Sequence, residues 1–113
     1  MSKDLQSNYI DKEAMHGAQN YSPLPVVLKK GDGVYLWDVN DKKYLDMMSA
    51  YSAVSHGHSH PELVETLVNQ SKKLAIASRA FYTEPLADYI EKLSKLSGFT
   101  SVLPMNTGAE AVE

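Results

Sequence analysis

Two short runs of turn-forming residues constrain the fold of this chain most. Residues 31–33 (GDG) and 40–42 (NDK) are typical of tight turns. They divide the segment from residue 26 to residue 46 into three short stretches rich in apolar side chains: 26–28, 34–39 and 43–46. Short strands separated by tight turns predict a three-stranded antiparallel meander.

Helices are predicted on both sides of this meander. A short helix is expected at residues 11–16, and Pro61 is suited to the first turn of a second helix. Thr83 is a predicted N-cap for a third helix, which should end at Gly98. An apolar strand is predicted at residues 100–105. The fold class expected from this order is α/β, with an α+β arrangement in the residues of this chain.

The totals exclude several classes of function. The 113 residues suffice for one small domain, and a net charge of −3 with scattered lysines gives no basic stripe for nucleic acid. The chain has no cysteine, so disulfides and thiolate metal sites are excluded. No apolar run approaches the length of a membrane span, and the polar start lacks the apolar core of a signal peptide. A cytoplasmic location is therefore expected.

The last residues, VLPMNTGAEAVE, predict a strand, a turn and the start of a helix. The first N–H groups of a helix have no acceptor within the helix, and together with the helix dipole they suit a phosphate group. The Thr107 hydroxyl is a further donor, and Gly108 would let the backbone approach an anion closely. An ordinary strand–helix junction explains the same residues.

Three histidines alternate with small residues at His56, His58 and His60. In an extended chain their rings would share one face, as the ligands of a metal can. The alternative is a turn that leads into the helix at Pro61. No acidic residue stands among the three histidines to supply the outer hydrogen bonds that orient metal-binding histidines, so no metal site is expected.

Tyrosines stand in three segments without helical or strand periodicity: Tyr21, Tyr51 and Tyr82. The loop from residue 47 to residue 60 contains one of them. A loop tyrosine usually packs with its hydroxyl in water, whereas several together can line a pocket. Both interpretations are open on the residues alone.

Taken together, these segments resemble the N-terminal portion of the class III aminotransferases that depend on pyridoxal phosphate. The resemblance runs from about residue 14 to the end of the chain. Its carriers are GAQNYSPLPVVLKKGDGVYLWDVNDKKYLD, SAYSAVSHGHSHPELV, SRAFY and VLPMNTGAEAVE. The hairpin and the GHSHP motif are typical of the whole class, while NYSPLPVVL, SAYSAV, SRAFY and PMNTGAEA are more typical of its ornithine branch.

The resemblance implies particular roles for a few residues. Thr107, Gly108 and Ala109 would bind the phosphate of pyridoxal 5'-phosphate. Tyr21 would help to hold the α-carboxylate of the substrate, and Tyr51 would line the substrate pocket and favour ornithine. The implied reaction moves the δ-amino group of L-ornithine to 2-oxoglutarate, giving glutamate 5-semialdehyde and glutamate.

The resemblance also implies a larger protein. Residues 1–82 would belong to the small domain, and residues 83–113 would begin a large cofactor-binding domain of fold type I. The catalytic lysine of the family is expected beyond Glu113, so the chain alone is expected to be inactive. A homodimer or higher homo-oligomer is implied. The alternatives are an acetylornithine or 4-aminobutyrate aminotransferase, or a non-catalytic binding module derived from this fold.

Overall fold

The computed structural model describes residues 4–113 and divides the chain into two compact units, one that ends at Gln70 and one from Ser71 to Glu113. Each unit is described by itself below. The elements in chain order are α1 (Leu5–His16), β1 (Leu28–Asp32), β2 (Tyr35–Asp38), β3 (Lys43–Leu45), α2 (Pro61–Lys73), α3 (Glu84–Ser97) and α4 (Gly108–Val112). The division of the units falls within α2, whereas the predicted domain boundary after residue 82 lies inside the second unit and stays a prediction.

The predicted antiparallel meander is confirmed. Strands β1, β2 and β3 follow one another in the sheet in chain order, and both pairs are antiparallel. The first strand was predicted at residues 26–28, which is wrong, because the pairing with β2 runs from Leu28 to Asp32. The turn predicted at residues 31–33 is accordingly shorter, since Gly31 and Asp32 belong to β1. An apolar segment forms a strand only where its backbone is hydrogen-bonded to a second strand. The N–H of Val26 is instead bonded to the Leu24 carbonyl, and that of Val27 to the side chain of Gln6.

The turn between β2 and β3 is organised by a buried carboxylate. Asp38, the last residue of β2, is only 1% exposed. Its Oδ1 accepts the backbone N–H groups of Asn40 and Lys42, each at 2.9 Å, and its Oδ2 accepts the Tyr44 hydroxyl at 2.7 Å. Burial alone would raise the pKa of Asp38, but these hydrogen bonds outweigh it and hold the pKa below its ordinary value. Asp38 therefore keeps its negative charge, and the charged carboxylate holds the turn between β2 and β3.

The helices begin and end largely where the residues predict. Helix α1 is longer than expected, since it begins at Leu5 and reaches His16. Thr83 is the N-cap residue of α3, as predicted, although its side chain makes no capping hydrogen bond. Gly98 ends α3 with φ of +78°, a conformation in which a glycine carries no Cβ penalty.

The predicted strand at residues 100–105 is not formed among the described residues. The segment has no helix or strand, although α4 follows it as expected. A strand requires a second strand to complete its hydrogen-bond ladder, and no described residue of this unit supplies one.

No apolar side chain among residues 4–113 is fully buried. The apolar stripes of α2 and α3 remain accessible, with Leu67 70% and Leu96 76% exposed. None of the described helices is both long enough and apolar enough to cross a membrane. The rigid features of the first unit are therefore its hydrogen-bonded turns and loops rather than an apolar core.

Candidate functional site

The loop from residue 47 to residue 60 is tied to the meander at its far end. Gly33 and His58 exchange two backbone hydrogen bonds, of 3.0 and 2.8 Å, which form an isolated antiparallel bridge. The Ser59 hydroxyl donates to the carbonyl of Gly31 at 2.9 Å. A Cβ atom at Gly31 would lie 2.7 Å from both Cβ and Cγ of His58. Glycine at position 31 therefore allows the loop to approach β1 closely.

The middle of this loop has a rare backbone conformation. Four consecutive non-glycine residues have positive φ: Ser49 (49°), Ala50 (46°), Tyr51 (56°) and Ser52 (74°). Residues with a Cβ in the left-handed region cost roughly 1–2 kcal/mol each, and they usually occur singly. The turn is closed by hydrogen bonds from the N–H of Tyr51 to the Met48 carbonyl and from that of Val54 to the Ser49 carbonyl. Further contacts must hold such a strained turn in place.

This turn presents Tyr51 next to Tyr21. The two hydroxyl oxygens lie 3.4 Å apart, although the residues are separated by 30 positions in the chain. The hydrogen bond with Tyr21, and to a smaller extent burial, raises the pKa of Tyr51 above 10.0. Both rings remain accessible, with Tyr21 73% and Tyr51 79% exposed. Two protonated hydroxyls thus offer donors and acceptors to a polar ligand.

Tyr21 also faces a cleft within the first unit. Helix α1 and the segment from residue 17 to residue 28 border an open cleft of about 910 Å³. Its lining is mainly apolar, including Ile10, Leu24 and Val26. A volume of this size accommodates a small molecule or a peptide side chain cluster.

One carboxylate joins the two ends of the loop. Asp46 follows β3, and its Oδ1 accepts the N–H groups of Met48 at 3.0 Å and Ser49 at 2.9 Å. Its Oδ2 lies 2.6 Å from Nε2 of His58. An ionised carboxylate can only accept, so Nε2 carries the proton in this contact. The imidazole hydrogen bond, followed by the two backbone bonds, holds the pKa of Asp46 below its ordinary value.

The three histidines do not converge. His58 is bonded to Asp46, Nδ1 of His56 lies 3.0 Å from the Ser55 hydroxyl, and the rings of His56 and His60 meet edge to face at 6.2 Å. Positive φ at Gly57 (82°) and Ser59 (53°) breaks the extended geometry that would align the rings. Among residues 4–113 no group of three or more histidine, aspartate or glutamate side chains is arranged to hold a metal ion.

The turn at Thr107 lies in the second unit, whereas Tyr21 and Tyr51 lie in the first. Thr107 is the N-cap of α4, and its hydroxyl oxygen accepts the N–H of Glu110 at 3.1 Å. The Glu110 carboxylate in turn accepts the N–H groups of Asn106 at 3.0 Å and Thr107 at 2.9 Å. A Cβ atom at Gly108 would meet nothing within 4 Å. The start of this helix is thus preformed and sterically open at the glycine.

Comparison with known proteins shows the family. The sequence profile of the family described as Aminotransferase class-III matches residues 16–113, most of the chain. The chain belongs to the class-III aminotransferases. These enzymes depend on pyridoxal 5'-phosphate.

Several class-III aminotransferases are similar to the chain. The mitochondrial ornithine aminotransferase of Drosophila melanogaster is 56% identical over 102 residues, which are 90% of this chain and 24% of that protein. The acetylornithine aminotransferase structure from Elizabethkingia anophelis is 59% identical with a TM-score of 0.91, and the ornithine delta-aminotransferase structure of Plasmodium falciparum is 48% identical with the same score. Each of these comparisons covers 95% of this chain and 28% of the solved one. The chain therefore spans about a quarter of the length of its class-III relatives.

Two residues that organise turns of this class-III chain were not predicted from its sequence. Asp46 and Glu110 were not singled out, yet each carboxylate accepts several hydrogen bonds at a turn. A signal was present in both cases. Aspartate after a strand often accepts N–H groups two or three residues later, and threonine followed three residues later by glutamate is the pattern of a capping box.

Proposed function

We propose that the whole protein is an ornithine aminotransferase. It would transfer the δ-amino group of L-ornithine to 2-oxoglutarate and form glutamate 5-semialdehyde and glutamate. The observation that carries the proposal is the paired hydroxyl groups of Tyr21 and Tyr51, which two irregular segments bring to 3.4 Å. The class-III family and the ornithine aminotransferases among the relatives support the same activity.

The two tyrosines would recognise the polar ends of the substrate. A hydroxyl donates to a carboxylate and accepts from an ammonium group, so this pair suits an amino acid with charge at both ends. The raised pKa of Tyr51 keeps its proton available. Tyr21 would help to hold the α-carboxylate, and Tyr51 would line the pocket and favour ornithine.

Thr107, Gly108 and Ala109 would bind the phosphate of pyridoxal 5'-phosphate. The residues fit this group, because the first-turn N–H groups of Gly108 and Ala109 have no acceptor in their own helix and no side chain stands at position 108. The Thr107 hydroxyl donates to Glu110 in the structure, so a phosphate that accepts this proton would replace that carboxylate. The cofactor, when bound, supplies the electron sink for amino-group transfer.

The amine that reacts with this cofactor would come from residues outside this chain. None of its lysines lies in the motif of the family's catalytic lysine. The 113-residue chain alone would therefore not catalyse transamination. We also propose a cytoplasmic location and a homodimer or higher homo-oligomer for the whole protein.

A second candidate activity is acetylornithine aminotransfer. It is favoured by the 59% identity to the structure described as acetylornithine aminotransferase. The two substrates differ by an acetyl group on one amine, so the selectivity of the pocket decides between them. The Tyr51 side chain is the residue of this chain on which that selectivity is proposed to depend.

The test compares kcat/KM for ornithine and N-acetylornithine in the whole protein and its Tyr51→Ile variant. Loss of a hydroxyl that contacts the substrate should lower the preference for ornithine roughly 10- to 200-fold. Tyr89→Ile, which changes the same residue type on α3, serves as the matched control and should keep the preference. Wild-type protein that prefers N-acetylornithine, or a Tyr51→Ile variant with an unchanged ratio, would contradict the proposal.

The cofactor site is tested by the Gly108→Val variant. A branched side chain at the helix start should obstruct the phosphate and weaken the binding of pyridoxal 5'-phosphate, as measured by absorbance titration. The control is Ala111→Val, which places the same side chain later in α4. Equal affinities of the two variants for pyridoxal 5'-phosphate would show that Gly108 is an ordinary turn residue.

A further inference from the structure

The position of Tyr51 depends on a turn that its own residues do not favour. Ser49, Ala50, Tyr51 and Ser52 all carry a Cβ, and all have left-handed backbone conformations. Nothing in these side chain types selects positive φ, so contacts outside the turn must stabilise it. Among the described residues of the first unit, the turn is bonded to the end of the meander through Asp46, whose carboxylate accepts the N–H of Ser49 at 2.9 Å.

Asp46 contacts both ends of the loop at once. One carboxylate oxygen accepts the N–H of Ser49, the first residue of the left-handed turn, and that of Met48 before it. The other oxygen is bonded to His58 at 2.6 Å. Because His58 is itself bridged to Gly33 on the meander, its imidazole is a fixed anchor for the carboxylate.

We propose that Asp46 is a positioning residue for substrate selection. Its carboxylate holds the left-handed turn at residues 49–52 and thereby fixes the hydroxyl of Tyr51 beside that of Tyr21. The inference rests on the proposed function of Tyr51 and extends it to a residue that does not contact the substrate. The side chain of Asp46 is only 9% exposed, in agreement with an indirect role.

The kinetic test uses the whole protein with Asp46→Ala and Asp46→Asn. The alanine variant should lower the preference for ornithine over N-acetylornithine on the order of 10-fold, because the turn loses its anchor. Asparagine keeps an oxygen for the two backbone N–H groups, and its amide can donate to His58 in the other imidazole tautomer. Asp46→Asn should therefore restore most of the preference.

A matched control comes from the same meander. Tyr44→Phe removes the side-chain donor of Asp38, the carboxylate that orders the neighbouring turn, and should leave the preference unchanged. The double variant Asp46→Ala with Tyr51→Phe separates positioning from general damage. If Asp46 acts through Tyr51, the double variant should show the preference of Tyr51→Phe alone, whereas a purely structural role would lower it further.

A second readout does not require activity. In protein with 13Cζ-labelled tyrosine, the pKa of Tyr51 is raised by its bond to Tyr21 and should fall toward 10.0 in Asp46→Ala but not in Tyr44→Phe. An unchanged Tyr51 titration in Asp46→Ala would overturn the positioning proposal even if ornithine is not the substrate. Conversely, a wild-type protein without ornithine activity in which the Tyr51 titration shifts would refute the proposed function and leave the positioning of Tyr51 supported.

Discussion

Asp38 and Asp46 use the same hydrogen-bond pattern for two different purposes. Each accepts two backbone N–H groups with one carboxylate oxygen and a ring donor with the other, Tyr44 in one case and His58 in the other. The ring partner of Asp38 is six residues away, and that of Asp46 is twelve. The first arrangement therefore closes a local hairpin, whereas the second ties down a strained loop that carries a proposed substrate contact.

The two turns differ in how strongly their own residues favour the observed backbone conformation. A hairpin turn such as residues 39–42 has strong local preferences, since Asn and Asp tolerate its backbone conformations. The turn at residues 49–52 has no such preference and depends on its distant partner. We expect changes around Asp46 to act on the loop selectively and changes around Asp38 to act on the hairpin.

The largest expected effect comes from Gly31→Ala, which prevents the loop of residues 47–60 from approaching β1 closely. The new Cβ would lie 2.7 Å from two atoms of His58, and such overpacking typically costs about 1–3 kcal/mol. Urea unfolding of the whole protein, followed by circular dichroism, measures the loss. Hydrogen exchange should show less protection at the amides of Met48 and Ser49.

The amides of Asn40 and Lys42, which donate to Asp38, are the internal control for that experiment. Their protection should remain close to wild type in Gly31→Ala. If the two pairs of amides lose protection together, the carboxylates do not act on separate regions.

A smaller effect is expected on the two carboxylate pKa values when each loses its ring partner. Tyr44→Phe removes the largest of the hydrogen bonds that lower the pKa of Asp38 against the effect of burial, so that pKa should rise. His58→Phe removes the largest cause of the lowered pKa of Asp46, so that pKa should also rise. Carboxyl-carbon NMR titration of the two variants checks both rises, and an unchanged pKa in either variant would contradict the contribution assigned to its ring partner.

The smallest expected effect is a loss of folding stability at acidic and at alkaline pH. The folded pKa values of Asp38 and Asp46 are lowered, so their stabilisation is complete above 3.8 and is lost as pH falls through the folded values. The pKa of Tyr44 is raised by its bond to Asp38, so its stabilisation is present below 10.0 and is lost as pH rises through the folded value. The melting temperature of the protein should therefore decline in acid, because Asp38 and Asp46 both lose their charge.

Tyr44→Phe isolates the alkaline part of this behaviour. The variant should show a shallower decline in melting temperature above pH 10 than wild type, because phenylalanine has no proton to lose. His58→Phe changes the Asp46 arrangement and should keep the wild-type alkaline decline. An equal alkaline decline in wild type and Tyr44→Phe would show that the Asp38–Tyr44 bond does not contribute there.

Local chemistry made part of this structure predictable. The turn between β2 and β3, the helix starting at Pro61 and the end of α3 at Gly98 follow from residues with strong backbone preferences. The position of β1 was mistaken because apolar character at Val26 and Val27 was read as strand pairing, although their N–H groups bond elsewhere. Apolar side chains alone therefore do not assign the hydrogen-bond partners of a segment.

The candidate site was less predictable for a physical reason. The roles of Tyr21 and Tyr51 follow from a family resemblance, and the meeting of their hydroxyl groups depends on contacts across 30 residues. No single-sequence rule assigns positive φ to Ser-Ala-Tyr-Ser. The partnership of Asp46 with His58 arises only after that turn brings the loop back to the meander.

The left-handed turn also limits how this loop can be moved between proteins. Copying residues 49–52 into another scaffold would transfer the tyrosine without the geometry, because those residues alone favour ordinary right-handed or extended backbone. A successful graft would have to carry Asp46, His58 and a glycine equivalent to Gly31 as one inseparable set. The transplantable unit is thus the hairpin together with its loop, and a library that varies Tyr51 for new substrates should keep those three positions constant.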